Sequence, residues 1–323
     1  MNKRLVKTLA ISGAALGAAV FAGGFALLDA TCGRRPKADF FDPDVLDREA
    51  PYKKDEMIAT REWLYRQNTD EVTVESFDGL KLWGMFIPAE NAKGTVLCMH
   101  GWHGDWKSNW GCFLRFFNDR GYNVLVTNER AHGKSEGHWI TYGIKERYDV
   151  CSWVDYLARR LGKDHPIFLA GISMGSATVQ MASVFDFPAN VRGIYADCGF
   201  TSPYEIMKSV VEDSGFPPST KKYKLTAGPL LALLDVFTKA FAGFGLKEYS
   251  TLEALPAAKY PVLFVHGLAD DFVPSYMSEQ GYAACRTEKE LILVPDAVHT
   301  RSWYVDRPRV SEALGAFLDK YTD

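Results

Sequence analysis

The stretch His165–Gly175, HPIFLAGISMG, decides the fold. Its first eight residues form a short apolar run that suits a strand buried on both faces, and the residues from Ser173 to Val184 carry a helical apolar period. Between the two, Gly171-Ile172-Ser173-Met174-Gly175 fits GxSxG, a strand-to-helix turn so tight that the positions two before and two after the serine must be small. Both are glycine, and the turn would stand the Ser173 hydroxyl above the sheet at the positive end of the following helix. A bare GxSxG often arises by accident; the strand before it and the helix after it give this one its meaning.

Working outward, the runs TVLCMH (95–100), YNVLVTN (122–128), VRGIYAD (191–197), PVLFVHG (261–267) and ELILVP (290–295) repeat the buried-strand pattern. Helix-length patterns at Asn109–Arg120, Ile144–Leu161 and Arg307–Tyr321 lie among them. Strand, helix, strand repetition demands crossover connections and a mostly parallel sheet. Upstream, EVTVESF and LKLWGMFIP flank the turn dipeptide Asp78-Gly79 and predict an antiparallel hairpin, which brings the count to eight strands.

A serine hydroxyl is a weak nucleophile and needs a histidine base that is itself oriented by a carboxylate. After an elbow of this kind the acid follows the serine in the chain and the histidine follows the acid. Of seven histidines only His266 and His299 lie beyond residue 197; His266 ends a strand, so His299, in the loop before the final helix, is the expected base. The segment PVLFVHGLADDFVP has the form HGxxDxxVP, which selects Asp270 as the acid and leaves Asp271 as an exposed loop carboxylate. Asp197, at the end of VRGIYAD, is the outside candidate. A tetrahedral intermediate also needs two oxyanion donors, each worth about 3–4 kcal/mol. The backbone N–H of Met174 is one, and that of Trp102, in the loop His100-Gly101-Trp102-His103-Gly104, is the other; the His103 ring is expected to be solvated.

Composition narrows the classes further. With 37 Lys plus Arg against 40 Asp plus Glu and 47% hydrophobic residues, the 323-residue chain can bury a large core and lacks the basic excess of a nucleic-acid binder. Cysteines at 32, 98, 112, 151, 198 and 285 form no CxxC and no Cys-His cluster at metal spacing, so zinc is not indicated, and Cys98, Cys112 and Cys151 read as buried thiols. The serine chemistry expected above needs neither a metal nor an organic cofactor.

Leu9–Leu28, LAISGAALGAAVFAGGFALL, is a charge-free run of 20 residues, long enough for one helical span. A cleaved secretory signal normally has a shorter core and a small-x-small site, which Leu28-Asp29-Ala30 does not supply, and the residues before Cys32 lack a lipoprotein pattern. The expected organisation is a signal-anchor or transmembrane segment over 1–35, a tether with an amphipathic helix near Asp55–Arg66 over 36–70, and one folded domain over 71–323. The expected location is the cell membrane, single-pass, with the domain outside the cytoplasm; Lys3, Arg4 and Lys7 nearly balance Arg34, Arg35 and Lys37, so charge leaves the orientation open.

The segments HGWHGDW, NERAHGKSEG, GISMGS, HGLADDFVP and AVHTRSW, in this order over about Val72–Tyr321, resemble the α/β-hydrolase superfamily. More narrowly, they resemble its single-span bacterial serine hydrolases of the BEM46-like and serine-aminopeptidase-like lineages. The resemblance implies an α/β-hydrolase fold: an eight-stranded, mostly parallel sheet flanked by helices, with a helical cap inserted at about 199–259 and an N-terminal transmembrane helix. It assigns the triad to Ser173, Asp270 and His299 and the oxyanion hole to Trp102 and Met174. Arg130, His132 and Ser135 match a structural turn, and Glu129 departs from the usual aspartate. Within the cap, Ser202-Pro203-Tyr204-Glu205 is a helix start and PLLALLDVFTKAFAGF an apolar helix that would roof an acyl or aromatic pocket or pack on the core. Lys221, Lys222 and Lys224 read as a solvated turn, and Trp106 and Trp110 as core. The implied activity is serine hydrolysis of a small-molecule carboxylic ester through an acyl-enzyme. A peptidase or amidase, an acyl thioesterase, and a silent binding protein of the same fold are the alternatives.

Overall fold

In the computed structural model, residues 3–188, 190–214 and 227–322 are described. The eight apolar runs form β1 (Asp70–Glu75), β2 (Lys81–Ile87), β3 (Gly94–Met99), β4 (Tyr122–Thr127), β5 (Ile167–Ile172), β6 (Val191–Asp197), β7 (Val262–Gly267) and β8 (Lys289–Val294). They lie in one sheet in the order β1-β2-β4-β3-β5-β6-β7-β8. β2 is antiparallel to both β1 and β4, and every other pairing is parallel. Because the chain leaves β3 toward β4 and later returns to β5 on its other side, the loops after β3 and β5 diverge and open a crevice at the carboxyl ends of the strands. Strands β3, β4, β5 and β7 are buried at every residue. β8 departs from the expected two-sided burial: as an edge strand it is only partly covered.

Among the described residues, the α-helices of five residues or more are α1 (Lys3–Cys32), α2 (Pro43–Glu49), α3 (Lys54–Leu64), α4 (Trp106–Trp110), α5 (Leu114–Asn118), α6 (Glu146–Leu161), α7 (Met174–Ala182), α8 (Pro203–Ser209), α9 (Ala227–Phe237), α10 (Tyr276–Ala284) and α11 (Arg307–Thr322). One sheet face packs on Phe113, Phe117, Trp303 and Phe317, the other on Trp153, Leu157 and Val179. The pattern at Asn109–Arg120 is two short helices joined by a 3-10 turn at Gly111–Phe113, where Met57 of α3 presses so closely that a Cβ on Gly111 would lie 2.6 Å from its sulfur. Trp106 and Trp110 are core, as expected, and all six cysteines are free thiols, with Cys151 only partly buried.

Residues 36–70 are not a free spacer. Phe40, Phe41, Leu46 and Met57 are buried in the same core as α5 and α11, and Arg61 donates to the Phe41 carbonyl at 2.8 Å. Aromatic and aliphatic side chains in this charged, proline-containing stretch supply the apolar area that docks it.

A third core joins the cap to the end of α1. Ser202 caps α8, its hydroxyl accepting from Glu205 N–H, with Pro203 at the first helical position. Ile206, Met207, Leu231, Leu234 and Phe237 of the cap meet Leu28 and Cys32 of α1. The last carbonyls of a helix have no intrahelical donor, and here they are satisfied by the domain. Thr31 C=O accepts from the Trp102 indole at 2.8 Å and the Tyr142 hydroxyl at 2.7 Å, and Cys32 C=O accepts from Ile140 N–H at 2.7 Å. The next carbonyl, Gly33, faces His103 Nε2 at 3.0 Å. That ring is half-buried and stacked on Trp102, not solvated as expected. Arg34 donates to the Ser135 carbonyl at 2.6 Å and Arg35 pairs with Asp29 at 2.7 Å, so both charges are engaged locally. Lys221, Lys222 and Lys224 lie outside the described residues.

Candidate active site

Ser173 sits between β5 and α7 with φ 56° and ψ −115°, a left-handed backbone that a serine adopts only when its surroundings impose it. The imposing contacts are the two glycines. A Cβ on Gly171 would lie 2.2 Å from the Gly175 carbonyl oxygen, and one on Gly175 would lie 2.2 Å from the Met99 carbonyl oxygen at the end of β3. Ser173 N–H donates to the Asp197 carbonyl at 2.9 Å, which pins the turn to β6.

The structure brings Ser173, His299 and Asp270 together. His299 Nδ1 is 2.7 Å from Asp270 Oδ2 and His299 Nε2 is 2.9 Å from Ser173 Oγ. An ionised carboxylate can only accept, so Nδ1 carries the proton and Nε2 is free to accept from the serine hydroxyl. Asp270 Oδ1 accepts from Phe272 N–H at 3.0 Å and Val273 N–H at 2.8 Å. Burial alone would raise the Asp270 carboxyl, but hydrogen bonds and charge from His266 and His299 outweigh it and hold the group well below the usual carboxylate range. Asp271 is exposed.

His266 is the residue that the sequence reading passed over. Its Nδ1 is 2.6 Å from Ser278 Oγ; its Nε2 is 2.8 Å from the Val273 carbonyl and 3.3 Å from Asp270 Oδ2. The ring therefore ties both sides of the acid loop, and the four-residue spacing from His266 to Asp270 was the available signal. Asp197, the outside candidate, does not bond His299: its Oδ2 accepts from the Tyr195 hydroxyl at 3.2 Å, Oδ1 has no protein partner among the described residues, and burial pushes its carboxyl up to about 6.

The loop after β3 passes close to the serine: a Cβ on Gly101 would lie 3.2 Å from Ser173 Cβ. Asn109 Oδ1 accepts from Gly101 N–H at 2.8 Å, and His100, held neutral by burial with its pKa pushed down to about 4, bonds the Gly101 carbonyl and Glu129 N–H. Met174 follows Ser173 at the start of α7, and Trp102, on this loop, lines the same cavity as Ser173. Arg130, His132 and Ser135 serve structure: Arg130 binds Asp149 at 2.6 and 2.7 Å and Asp78 at 2.9 Å, and Ser135 Oγ links Asn128 to Trp83. Glu129 makes no side-chain hydrogen bond among the described residues, and burial, with the nearby Glu146 and Asp149 charges, drives its carboxyl upward. Cys198, Asp270 and His299 offer ligand atoms within 4.8 Å of one another, but a metal there would compete with His299 Nδ1–H for the Asp270 carboxylate or with the Ser173 hydroxyl for the Nε2 lone pair.

Ser173 opens into a cavity of about 480 Å³. Its wall is apolar, built from cap residues such as Ile206, Leu231 and Leu234, from Trp102 and Phe272, and from Leu27 on α1. The α1 contribution had no sequence signal.

An antiparallel first pair, a parallel remainder and a strained serine after the strand beside the switch point are the architecture of the α/β-hydrolase fold, which this chain has; the family profile for the α/β hydrolase fold matches residues 94–214. The chain is similar to the uncharacterized protein YqkD of Bacillus subtilis, 26% identical over 282 residues that cover 87% of this chain and 88% of YqkD. It is also similar to the alpha/beta hydrolase domain-containing protein WAV2 of Arabidopsis thaliana, 24% identical over 266 residues, 78% of this chain and 79% of that one. Among solved structures, the Pyrococcus furiosus esterase Pf2001 matches with a TM-score of 0.62 at 24% identity, covering 80% of this chain and 92% of the esterase. A likeness at that identity speaks for the fold.

Proposed function

We propose that the chain is a serine hydrolase that cleaves carboxylic esters through an acyl-enzyme on Ser173. The observation that carries this reading is the continuous hydrogen-bond path from Ser173 Oγ through His299 to Asp270, opening into an apolar cavity. Ser173 Oγ attacks the ester carbonyl carbon while His299 Nε2 takes its proton, and Asp270 stabilises the imidazolium. As the intermediate collapses, Nε2 gives the proton to the departing alkoxide; water then attacks the acyl-enzyme by the same steps and releases the acid. The oxyanion falls to Met174 N–H, which as a first-turn group has no intrahelical acceptor, and to Trp102 N–H. This chemistry requires neither metal nor organic cofactor.

The cavity wall favours esters over peptides. Among the described lining residues there is no Asp, Glu, Lys or Arg to pair with a charged peptide terminus. The likeness to a solved esterase points the same way. Helix α1 contains a stretch, Ala15–Cys32, long and apolar enough to cross a membrane, and we read it as a single-pass anchor in the cell membrane with the hydrolase domain outside the cytoplasm.

The test is labelling by a fluorophosphonate probe together with hydrolysis of short-chain aryl esters. Ser173→Ala is expected to abolish labelling and to lower turnover by about a million-fold. Folded wild-type protein that neither labels nor turns over would instead be a silent binding protein, and faster cleavage of aminoacyl arylamides than of esters would make it a peptidase.

A further inference from the structure

We propose that the substrate is a membrane-resident acyl ester whose chain reaches Ser173 from the lipid phase, along the face where α1 meets α9. This rests on the serine-hydrolase reading and adds the substrate class and the route.

The first support is the wall itself. Leu27, Ala30 and Thr31 of α1 line the cavity opposite Leu230 and Leu234 of α9, so the one candidate membrane span among the described residues is also a side of the substrate site. Its seat is built. Leu28 and Cys32 are fully buried, and the Thr31 carbonyl is held by Trp102 and Tyr142, two residues that themselves face the cavity.

The second is depth. The uncharged run Leu9–Leu28 spans about 30 Å as a helix, the thickness of a bilayer's hydrocarbon core. Residues inside that run already touch the domain, among them Leu27, which lines the cavity, and Gly24, which lies so close to Phe237 that a Cβ would fall 2.3 Å from its ring. The end of the span and the α1–α9 side of the cavity therefore share one level. Residues 36–70, folded back on the sheet, add no spacer that would lift the cavity into water.

The third is the surface at that level. Phe21 of α1 is 54% exposed, and Val236 and Phe241 of the cap are 61% and 43% exposed. The rings of Phe21, Phe25, Phe237 and Phe241 pack on one another with centroids 5.5–6.4 Å apart, making one continuous apolar patch across the helix and the cap. A patch of this kind is unfavourable against water and stable against lipid. The cavity behind it offers an acyl chain apolar contact and leaves the ester for Ser173.

The experiment uses the full chain reconstituted in phosphatidylcholine vesicles and para-nitrophenyl esters from butyrate to dodecanoate. The expected kcat/KM rises by up to about fourfold per added methylene until the cavity is full. Leu27→Trp, which fills the α1 wall, is expected to lower the dodecanoate-to-butyrate ratio of kcat/KM at least tenfold, and Leu27→Ala to move the preferred chain length upward. A long-chain acyl ester held in the protein's own vesicles is expected to be cleaved at least tenfold faster than the same ester in separate vesicles. No rise with chain length, a ratio unmoved in both Leu27 variants, or equal rates from the two vesicle arrangements would each overturn the proposal while butyrate hydrolysis and probe labelling left the serine-hydrolase reading standing. Loss of butyrate hydrolysis and labelling in the wild type would overturn that reading, and this one with it.

Discussion

Two buried aspartates beside the same histidine are driven in opposite directions. Asp270 receives two backbone N–H bonds and the His299 ring, with His266 at longer range, and its carboxyl is held low; Asp197 lacks such donors and burial raises it to about 6. The signs of their stability effects follow from linkage. Asp270, depressed in the folded state, contributes stability that is present above the unfolded value of about 3.9 and is lost as pH falls through the folded one. Asp197, raised, binds its proton more tightly when folded, so stability falls as pH rises from about 4 to 6 and then levels off. Asp197→Asn is therefore expected to gain stability relative to wild type, on the order of 2 kcal/mol more at pH 8 than at pH 4, in urea unfolding. A pH-independent difference would show that Asp197 is already ionised at the lower pH. In catalysis the order reverses: Asp270→Asn is expected to cost about ten-thousand-fold in kcat by leaving His299 in the wrong tautomer. Asp197→Asn, which has no bond to His299 to lose, is expected to change kcat far less.

At the scale of elements, the elbow works because β3, β5 and α7 approach more closely than any side chain on Gly171 or Gly175 would allow. That closeness brings the loop after β3 within reach of the serine. The turn after β4 is secured differently, by Arg130, which joins it to Asp78 in the β1–β2 turn and to Asp149 on α6. Arg130 and Asp149 are both almost wholly buried, so Arg130→Ala leaves an unpaired charge in the core and is expected to cost about 3–5 kcal/mol, measured as a lower urea midpoint at unchanged slope. A shift below 1 kcal/mol would mean that Asp149 takes up a proton and tolerates the loss.

For the whole molecule, the N-terminal apolar helix and the hydrolase-fold domain are one structure. Leu28, on α1, is fully buried against the cap. Leu28→Ala is expected to lower stability in detergent by about 2–5 kcal/mol, as for other core leucines. Leu16→Ala, on the exposed part of the same helix, is expected to stay within about 0.5 kcal/mol of wild type. Equal, negligible shifts in the thermal midpoint of both variants would return α1 to the status of a detached tether.

The sequence by itself determined the eight strands, their mostly parallel pairing and the candidate serine, acid and base. Strand burial, the glycine-bracketed serine and the HGxxDxxVP spacing are local patterns, written within a few residues of one another. Tertiary structure alone decided that residues 36–70 dock, that the His266 ring braces Asp270, that the His103 ring is covered, and that α1 walls the cavity. These depend on contacts such as Trp102 and Tyr142 with Thr31, 71 and 111 positions apart, where the bond is made by side chains whose local sequence gives no period, cap or motif to read. A helix carbonyl left open by its own geometry finds its donors only when the chain has folded around it.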